Sequence, residues 1–137
     1  MKVFVDTGAF CALTIPHDMH NNIAKTLHKQ IHREKALLYT SDYVLDETYT
    51  LLKMRSSHET AVKFMAQLEA TAIVVLSVGA DISADAKSLF RKFDDRKLSF
   101  TDCTSFALIN HFGIDAVFAF DEHFRYHPYK HPVRFLG

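Results

Sequence analysis

The chain has 137 residues, of which 48% are hydrophobic and 23% are charged, and this composition excludes an intrinsically disordered protein. Its 16 Lys and Arg residues balance its 16 Asp and Glu residues, so the net charge is zero when histidine is neutral. This balance disfavours a protein that only binds nucleic acid, which would be strongly basic, but it is compatible with an enzyme that touches a few phosphates.

The cysteine count and the N-terminal sequence indicate the compartment. Cys11 and Cys103 both fall within predicted helices and are too few for a disulfide scaffold, so we expect two buried thiols in a reducing cytoplasm. The N-terminus leads directly into a predicted strand without a secretory signal, and no apolar run approaches the length of a membrane span. We therefore expect one domain over residues 1–137, located in the cytoplasm and not associated with a membrane.

The N-terminal quarter of the chain predicts one strand and two helices. β-Branched and aromatic residues predict a strand over residues 2–5, and a short helix over residues 8–13 follows and ends at Pro16. From residue 18 to about residue 34, apolar residues recur at every fourth position, which predicts an amphipathic helix. The residues of its apolar face are Ile23, Leu27 and Ile31.

The middle of the chain predicts two strands separated by two helices. Residues 36–39 form the second predicted strand, and Thr40-Ser41-Asp42 supplies N-cap candidates for a helix that continues to about residue 55. Ser56-Ser57 starts another helix. The segment 72–76 is apolar without interruption, which predicts a third strand that is buried on both faces.

The remainder of the chain predicts two helices and up to two strands. An apolar stripe with helical spacing predicts a helix between residues 82 and 93, and a second helix runs from residue 102 to about 111. Residues 116–120 form a fourth strand, and residues 133–136 a candidate fifth. Because apolar strands alternate with helices, the predicted fold class is α/β, a three-layer α/β/α domain around a central parallel sheet of four to five strands.

Four acidic residues occupy positions where an isolated carboxylate is unfavourable. Asp6 and Asp121 each end an apolar strand, and neighbouring parallel strands would bring both to the edge of the sheet where ligands bind. Glu47 falls on the flank of the apolar face of its helix, with no Lys or Arg one turn away. Asp102 opens a helix in which the following residues Cys103, Phe106 and Ala107 are expected to be buried. Taken singly, Asp6 is explained as a helix cap and Asp102 as a partner of the helix dipole.

Together, the four acids predict a carboxylate cluster at one edge of the sheet. Such a cluster raises its own pKa values unless cations neutralise it. Oxygen ligands without a converging His or Cys favour Mg²⁺ or Mn²⁺ over Zn²⁺, and these ions can hold a phosphodiester and activate a water molecule. The sequence therefore predicts metal-dependent hydrolysis of a phosphodiester.

Four sequence motifs, in this order along the chain, together resemble the PIN domain. They are VFVDTG around Asp6, TSDYVLDET around Glu47, LSFTDCTSFAL around Asp102 and FAFDEHF around Asp121. The resemblance covers essentially the whole chain. It is strongest to the PIN-domain toxins of bacterial toxin–antitoxin pairs, the VapC-type ribonucleases.

The resemblance implies an endoribonuclease site that depends on Mg²⁺ or Mn²⁺. By motif position, its acidic residues, both catalytic and metal-binding, would be Asp6, Glu47, Asp102 and Asp121. Thr7 and Thr101 match the hydroxyl positions that would orient the first and third acids or the metal-bound waters. Asp46 and Asp95 are nearby acids whose part in the site the sequence leaves open. Similar proteins cleave RNA, form homodimers and are silenced by a cognate antitoxin, so we expect these partners.

Histidines and basic residues near the acids have competing explanations. His123 lies two residues after Asp121 and could touch a substrate phosphate. His123, His127 and His131 are spaced by four residues, but intervening prolines interrupt any helix that would align them as a zinc site. Arg96 and Lys97 could receive the RNA backbone, or they could form a solvated helix end balanced by neighbouring acids.

Three other functions compete with a toxin ribonuclease. The first is a PIN-fold nuclease that processes RNA or DNA outside toxin–antitoxin systems. The second is an inactive PIN-like binding module, against which the presence of all four acids argues. The third is a phosphohydrolase with Asp6 as its nucleophile, but the second Asp usual in that chemistry would stand at position 8, where this chain has glycine. The preferred hypothesis is a metal-dependent toxin endoribonuclease.

Overall fold

A computed structural model describes residues 1–137 and contains a five-stranded parallel sheet flanked by seven helices, which confirms the predicted α/β fold class. The strands are β1 (Lys2–Val5), β2 (Leu37–Ser41), β3 (Val74–Leu76), β4 (Ala116–Phe118) and β5 (Arg134–Leu136). The helices are α1 (Thr7–Thr14), α2 (Asn21–Arg33), α3 (Asp42–Arg55), α4 (His58–Glu69), α5 (Ala80–Lys92), α6 (Phe100–Phe112) and α7 (His123–Tyr126).

The strand order β3-β2-β1-β4-β5 places β1 at the centre of the sheet. All neighbouring pairs are parallel, and Val5 at the end of β1 is in register with Phe118 at the end of β4. The Asp6 N–H extends this ladder by donating to the Phe118 carbonyl over 3.0 Å. The chain after β1 and the chain after β4 therefore leave the same edge of the sheet, as predicted. The predicted fourth strand over residues 116–120 is too long, because β4 ends at Phe118 and Asp121 comes three residues later.

Capping residues fix the starts of α3, α4 and α6. The Ser41 hydroxyl accepts from the Val44 N–H over 3.0 Å, and the Ser57 hydroxyl accepts from the Thr60 N–H over 3.0 Å. Ser99 forms a capping box at the start of α6. Each cap stabilises its helix by about 1 kcal/mol. Since α3 and α6 carry two of the predicted acids in their first two turns, these caps also set where those acids lie.

The core is one cluster of 31 buried hydrophobic residues. α6 contributes most to it, because every residue from Asp102 to Ile109 is buried. α6 packs against α5, α7 and α3, while α1 packs against α2 and α3. Cys11 and Cys103 are both buried free thiols, as predicted. None of the helices combines the length and the apolarity that a bilayer span requires.

The prediction that the third strand is buried on both faces is wrong. β3 is an edge strand, paired only with β2, and its residues Val74 and Val75 are 43% and 45% exposed. A run of apolar residues cannot distinguish an edge strand from a central one, because strand order depends on residues far away in the sequence.

The predicted apolar face of α2 is also wrong in part. Ile23 is 48% exposed, and the buried residues are Asn21, Ala24 and Ile31. At about 100° per residue, Asn21, Ala24 and Ile31 span about 80° of the helix surface, and Ile23 lies about 80° beyond Ile31. The buried face is therefore rotated relative to the predicted one, and the two share Ile31. The buried Asn21 amide is satisfied because it donates to the Ala12 carbonyl over 2.7 Å.

Candidate functional site

Asp6 lies at the centre of the sheet edge, directly after β1, and is only 6% exposed. Its side chain does not cap α1, so the helix-cap explanation does not account for it. Burial raises the pKa of Asp6 to about 8, the charge of Asp102 adds to the shift, and the Thr7 amide opposes it. The charges of Glu47 and Asp121 raise it further. The four acids predicted from the sequence therefore act on one another at this edge.

Asp102 stands in the first turn of α6 and is 7% exposed. It has two roles, because its Oδ2 accepts from the Ser99 N–H over 3.2 Å in the capping box while its Oδ1 has no hydrogen-bond partner in the protein. Burial raises the pKa of Asp102 to about 6, and the charges of Asp121 and Glu47 contribute, although the bonds to Ser99 lower it. One carboxylate oxygen thus completes the helix cap, and the other remains available to a ligand.

Glu47 and Asp121 form the open side of the cluster. Glu47 is partly buried on the second turn of α3, and Asp121 is partly buried in the connection between β4 and α7. Asp46, the neighbour of Glu47, is exposed, as the helical geometry predicted. The arrangement is a pair of buried carboxylates with two accessible carboxylates beside them.

His123 converges on this cluster, contrary to the expectation that no histidine does so. Its Nδ1 lies 2.6 Å from Asp121 Oδ1, and its Nε2 lies 3.1 Å from Asp95 Oδ2. Ligand atoms of Asp102, Asp121 and His123 all lie within 4.8 Å of one another. The single turn of α7 folds the chain back immediately after Asp121, which brings the residue two positions later into contact with it. The prediction lacked α7, and so it missed this contact.

Two carboxylates contact the imidazole of His123 and shift its pKa. Each ring nitrogen faces a carboxylate oxygen, which accepts a hydrogen bond when that nitrogen carries a proton. Desolvation alone would lower the pKa of His123, but the hydrogen bonds to Asp95 and Asp121 outweigh it and raise the pKa. Hydrogen bonds from the Lys97 N–H and from His123 lower the pKa of Asp95. The two acids therefore favour the protonated form of His123, which lies between them.

The two predicted hydroxyl residues lie beside the acids. The Thr7 hydroxyl donates to the Val44 carbonyl over 3.3 Å and accepts from the Thr48 hydroxyl over 3.2 Å, so it joins α1 to α3. Thr101 is partly exposed, and its carbonyl accepts from the Thr104 hydroxyl over 2.6 Å. Neither hydroxyl donates a hydrogen bond to an acid of the cluster.

The remaining candidates occupy separate environments. Arg96 and Lys97 are exposed in the loop over residues 93–99 between α5 and α6, and neither forms an ion pair. His127 stacks on Phe106 at 3.9 Å, and burial lowers its pKa to about 4. His131 bonds to the Ile114 carbonyl over 2.7 Å. His123, His127 and His131 therefore do not form a shared metal site.

The donor set fits a hard divalent cation. The four carboxylates supply oxygen atoms, and the raised pKa values of Asp6 and Asp102 show that the protein leaves their negative charge uncompensated. Both nitrogens of His123 are engaged by carboxylates, so the available donors are oxygens, which suit Mg²⁺ and Mn²⁺.

The raised pKa values predict that the metal-free protein becomes less stable as the pH rises. Asp6 binds its proton more tightly in the folded protein than in the unfolded chain, where an Asp titrates near pH 4, so the folded state holds more protons up to about pH 8. His127 has the opposite effect only below about pH 6.5, because its pKa is lowered. We expect the melting temperature in EDTA to fall between about pH 6.5 and 8, measured by scanning calorimetry. A rise over this interval would contradict the burial of an unpaired carboxylate.

Comparison with known proteins identifies the family. The family model described as PIN domain matches residues 3–128. The chain is 37% identical over 122 residues to the 23S rRNA-specific endonuclease VapC20 of Mycobacterium tuberculosis, covering 89% of this chain and 91% of that protein. The crystal structure of VapC20, described as a Sarcin-Ricin loop cleaving toxin, superposes with a TM-score of 0.79 at 35% identity and covers 90% of this chain and 92% of that one.

Two more distant structures share the fold. VapBC2 from Rickettsia felis, bound to a DNA fragment from its promoter, matches with a TM-score of 0.73 and 10% identity over 100% of both chains. FitAcB from Neisseria gonorrhoeae matches with a TM-score of 0.60 and 14% identity over 88% of both chains. At these identities the likeness establishes only the fold. With the family match over residues 3–128 and the identity to VapC20 along nine-tenths of its length, the chain belongs to the PIN-domain family and is similar to its VapC-type toxin ribonucleases.

Proposed function

We propose that this chain is a metal-dependent endoribonuclease that acts in the cytoplasm as the toxin of a type II toxin–antitoxin pair. The observation that carries the proposal is the convergence of four acids at one sheet edge in a chain that is 37% identical to an rRNA endonuclease. Its Mg²⁺ or Mn²⁺ would be held by Asp6, Glu47, Asp102 and Asp121.

The residues of the site would have different roles in hydrolysis. The bound ion would supply activation of water and stabilisation of the departing oxygen. Asp6 and Asp102 would provide buried oxygen ligands that become negatively charged when the ion displaces their protons, while Glu47 and Asp121 lie on the open side where a phosphodiester would approach. Arg96 and Lys97 are exposed cations without carboxylate partners and can contact RNA phosphates. His123 would orient the Asp121 carboxylate and would not be the first group to contact the substrate phosphate.

The first substrate to test is 23S ribosomal RNA, because the similar protein VapC20 is specific for it. We expect the purified protein to cut ribosomal RNA in the presence of Mn²⁺ at a discrete loop, detected by mapping new 5′ ends. Cleavage confined to another RNA would reject this target while retaining the nuclease. Failure to cleave any RNA would reject the proposed function.

An antitoxin partner and a homodimer complete the proposal. The antitoxin is supported by the toxin description of the 35%-identical VapC20 structure. An apolar cavity of about 270 Å³ beside α2 and β2, which contains none of the four acids, offers a surface for apolar antitoxin side chains.

Expression of the protein should arrest cell growth, and co-expression of the neighbouring gene should relieve the arrest. Harmless expression of an active enzyme would instead favour an RNA-processing nuclease. Light scattering tests the homodimer.

A further inference from the structure

Asp95 is tied to the site although it is not one of the four acids. It lies exposed in the loop between α5 and α6, yet both of its carboxylate oxygens accept hydrogen bonds. Oδ1 accepts from the Lys97 N–H over 2.9 Å, which closes the turn of the loop. Oδ2 accepts from His123 Nε2 over 3.1 Å, which joins the loop to the segment after β4.

His123 transmits this contact to Asp121. Its ring Nδ1 and its backbone N–H both donate to the same oxygen, Oδ1 of Asp121, over 2.6 and 2.9 Å. Two donors on one oxygen fix the rotation of the carboxylate and leave Oδ2 as its free oxygen. The His123 side chain is 18% exposed, whereas those of Asp95 and Asp121 are 56% and 37% exposed, so the imidazole is the enclosed member of the series.

We propose that Asp95 is a positioning residue that acts through His123 to hold Asp121 with one oxygen free for a divalent cation. The inference rests on the proposed function, because it concerns the ion that the nuclease would use. A partly exposed carboxylate that rotates freely loses conformational entropy when it binds an ion, and this loss weakens binding. The hydrogen bonds along Asp95–His123–Asp121 already restrict the Asp121 side chain before an ion binds, so less entropy is lost on binding.

The same contact links the ion site to the loop over residues 93–99, which carries Arg96 and Lys97. Asp95 is adjacent to Arg96 and holds the backbone of Lys97, so the two exposed cations keep a defined position relative to Asp121. RNA bound by these cations and an ion bound by Asp121 would stabilise the same arrangement. By reciprocity, each ligand then raises the affinity for the other.

A competing explanation is that His123 is itself a metal ligand, since its ring lies within 4.8 Å of ligand atoms of Asp102 and Asp121. The geometry favours positioning, because Nδ1 lies 2.6 Å from Asp121 Oδ1 and Nε2 lies 3.1 Å from Asp95 Oδ2, so each ring nitrogen already faces a carboxylate oxygen. The two explanations differ in what substitution of Asp95 does.

The test compares Asp95→Asn, His123→Gln and the double variant with the wild-type protein. Asp94→Asn is the matched control, because Asp94 is the exposed neighbour of Asp95, carries the same charge and makes no side-chain hydrogen bond. Mn²⁺ affinity is measured by calorimetry without RNA, and kcat and KM are measured on a cleavable RNA. Circular dichroism melting establishes that each variant is folded.

We expect Asp95→Asn to weaken Mn²⁺ binding by roughly 10-fold and to lower kcat, as is typical when the partner of a metal-site residue is removed. The double variant should be no weaker than His123→Gln, because Asp95 acts through that ring. Asp95→Glu should recover part of the affinity, and Asp94→Asn should match the wild-type protein. RNA should tighten Mn²⁺ binding in the wild-type protein more than in Asp95→Asn.

Three results would overturn the inference. The first is wild-type Mn²⁺ affinity in Asp95→Asn, and the second is a double variant whose loss is the product of the two single losses. The third is loss of Mn²⁺ binding in His123→Gln with Asp95→Asn unaffected, which would make His123 a direct ligand. A wild-type protein that neither binds Mn²⁺ nor cleaves RNA would instead contradict the proposed function, and the inference with it.

Discussion

Asp6→Asn is expected to abolish RNA cleavage and at the same time to stabilise the metal-free protein. The ion that the cluster is proposed to hold would supply several kcal/mol to the reaction, so loss of the central carboxylate should lower kcat/KM by roughly 10³-fold or more. Stability should change in the opposite direction, because burial raises the pKa of Asp6 to about 8 and its charge is therefore unfavourable in the fold. Asparagine keeps the shape of the side chain without the charge.

The expected gain in melting temperature is roughly 3–5 °C at about pH 8 in EDTA, which corresponds to about 1 kcal/mol for a domain of this size. The fall in stability with rising pH should also become shallower, since its main titrating group is gone. Asp46→Asn is the matched control: it removes an exposed carboxylate next to Glu47 and should change neither cleavage nor melting temperature. An Asp6→Asn protein that cleaves at the wild-type rate would remove the carboxylate cluster from the mechanism.

Removal of divalent metal is expected to stop cleavage completely, and addition of Mn²⁺ or Mg²⁺ should restore it. The carboxylates must lose their protons before they bind an ion, so protons and metal compete for Asp6 and Asp102. Mn²⁺ should therefore raise the melting temperature more at about pH 8 than at about pH 6.

The measurement pairs a cleavage assay with scanning fluorimetry on the same samples. Asp6→Asn serves as the control, because its melting temperature should respond only weakly to Mn²⁺. Cleavage that persists in EDTA would exclude a metal from the mechanism. Restoration by Zn²⁺ alone would point to nitrogen ligands, and so to His123 as a ligand rather than a positioning residue.

The acidic residues could be predicted from the sequence because each lies next to a recognisable local pattern. Asp6 directly follows β1, Asp121 follows the apolar segment that contains β4, and Asp102 occupies the third helical position after the Ser99 cap. Their convergence followed from a general property of parallel sheets, in which the carboxyl ends of strands share one edge. The structure bears this out through the register of β1 and β4 and through the mutual effect of the charges on the pKa values.

The predictions failed where packing between distant segments decides the outcome. The apolar segment that forms β3 predicts a central strand, but β3 lies at the edge of the sheet. Its position depends on where the other strands lie. α2 carries a regular apolar face, yet its contact with α1 buries Ala24 and a hydrogen-bonded Asn21 instead of Ile23. Periodicity describes one element at a time, and neither result is a property of one element.

The sequence by itself determined the α/β class and the serine caps of α3 and α4, and it supplied Asp6, Glu47, Asp102 and Asp121 as the candidate site residues. These depend on strand composition, capping and the alternation of strands and helices, which act over a few residues. Only the tertiary structure decided that His123 lies between Asp121 and Asp95, which is 28 residues away from it in the chain. A hydrogen bond over such a separation depends on the paths of two loops, and no local pattern encodes it.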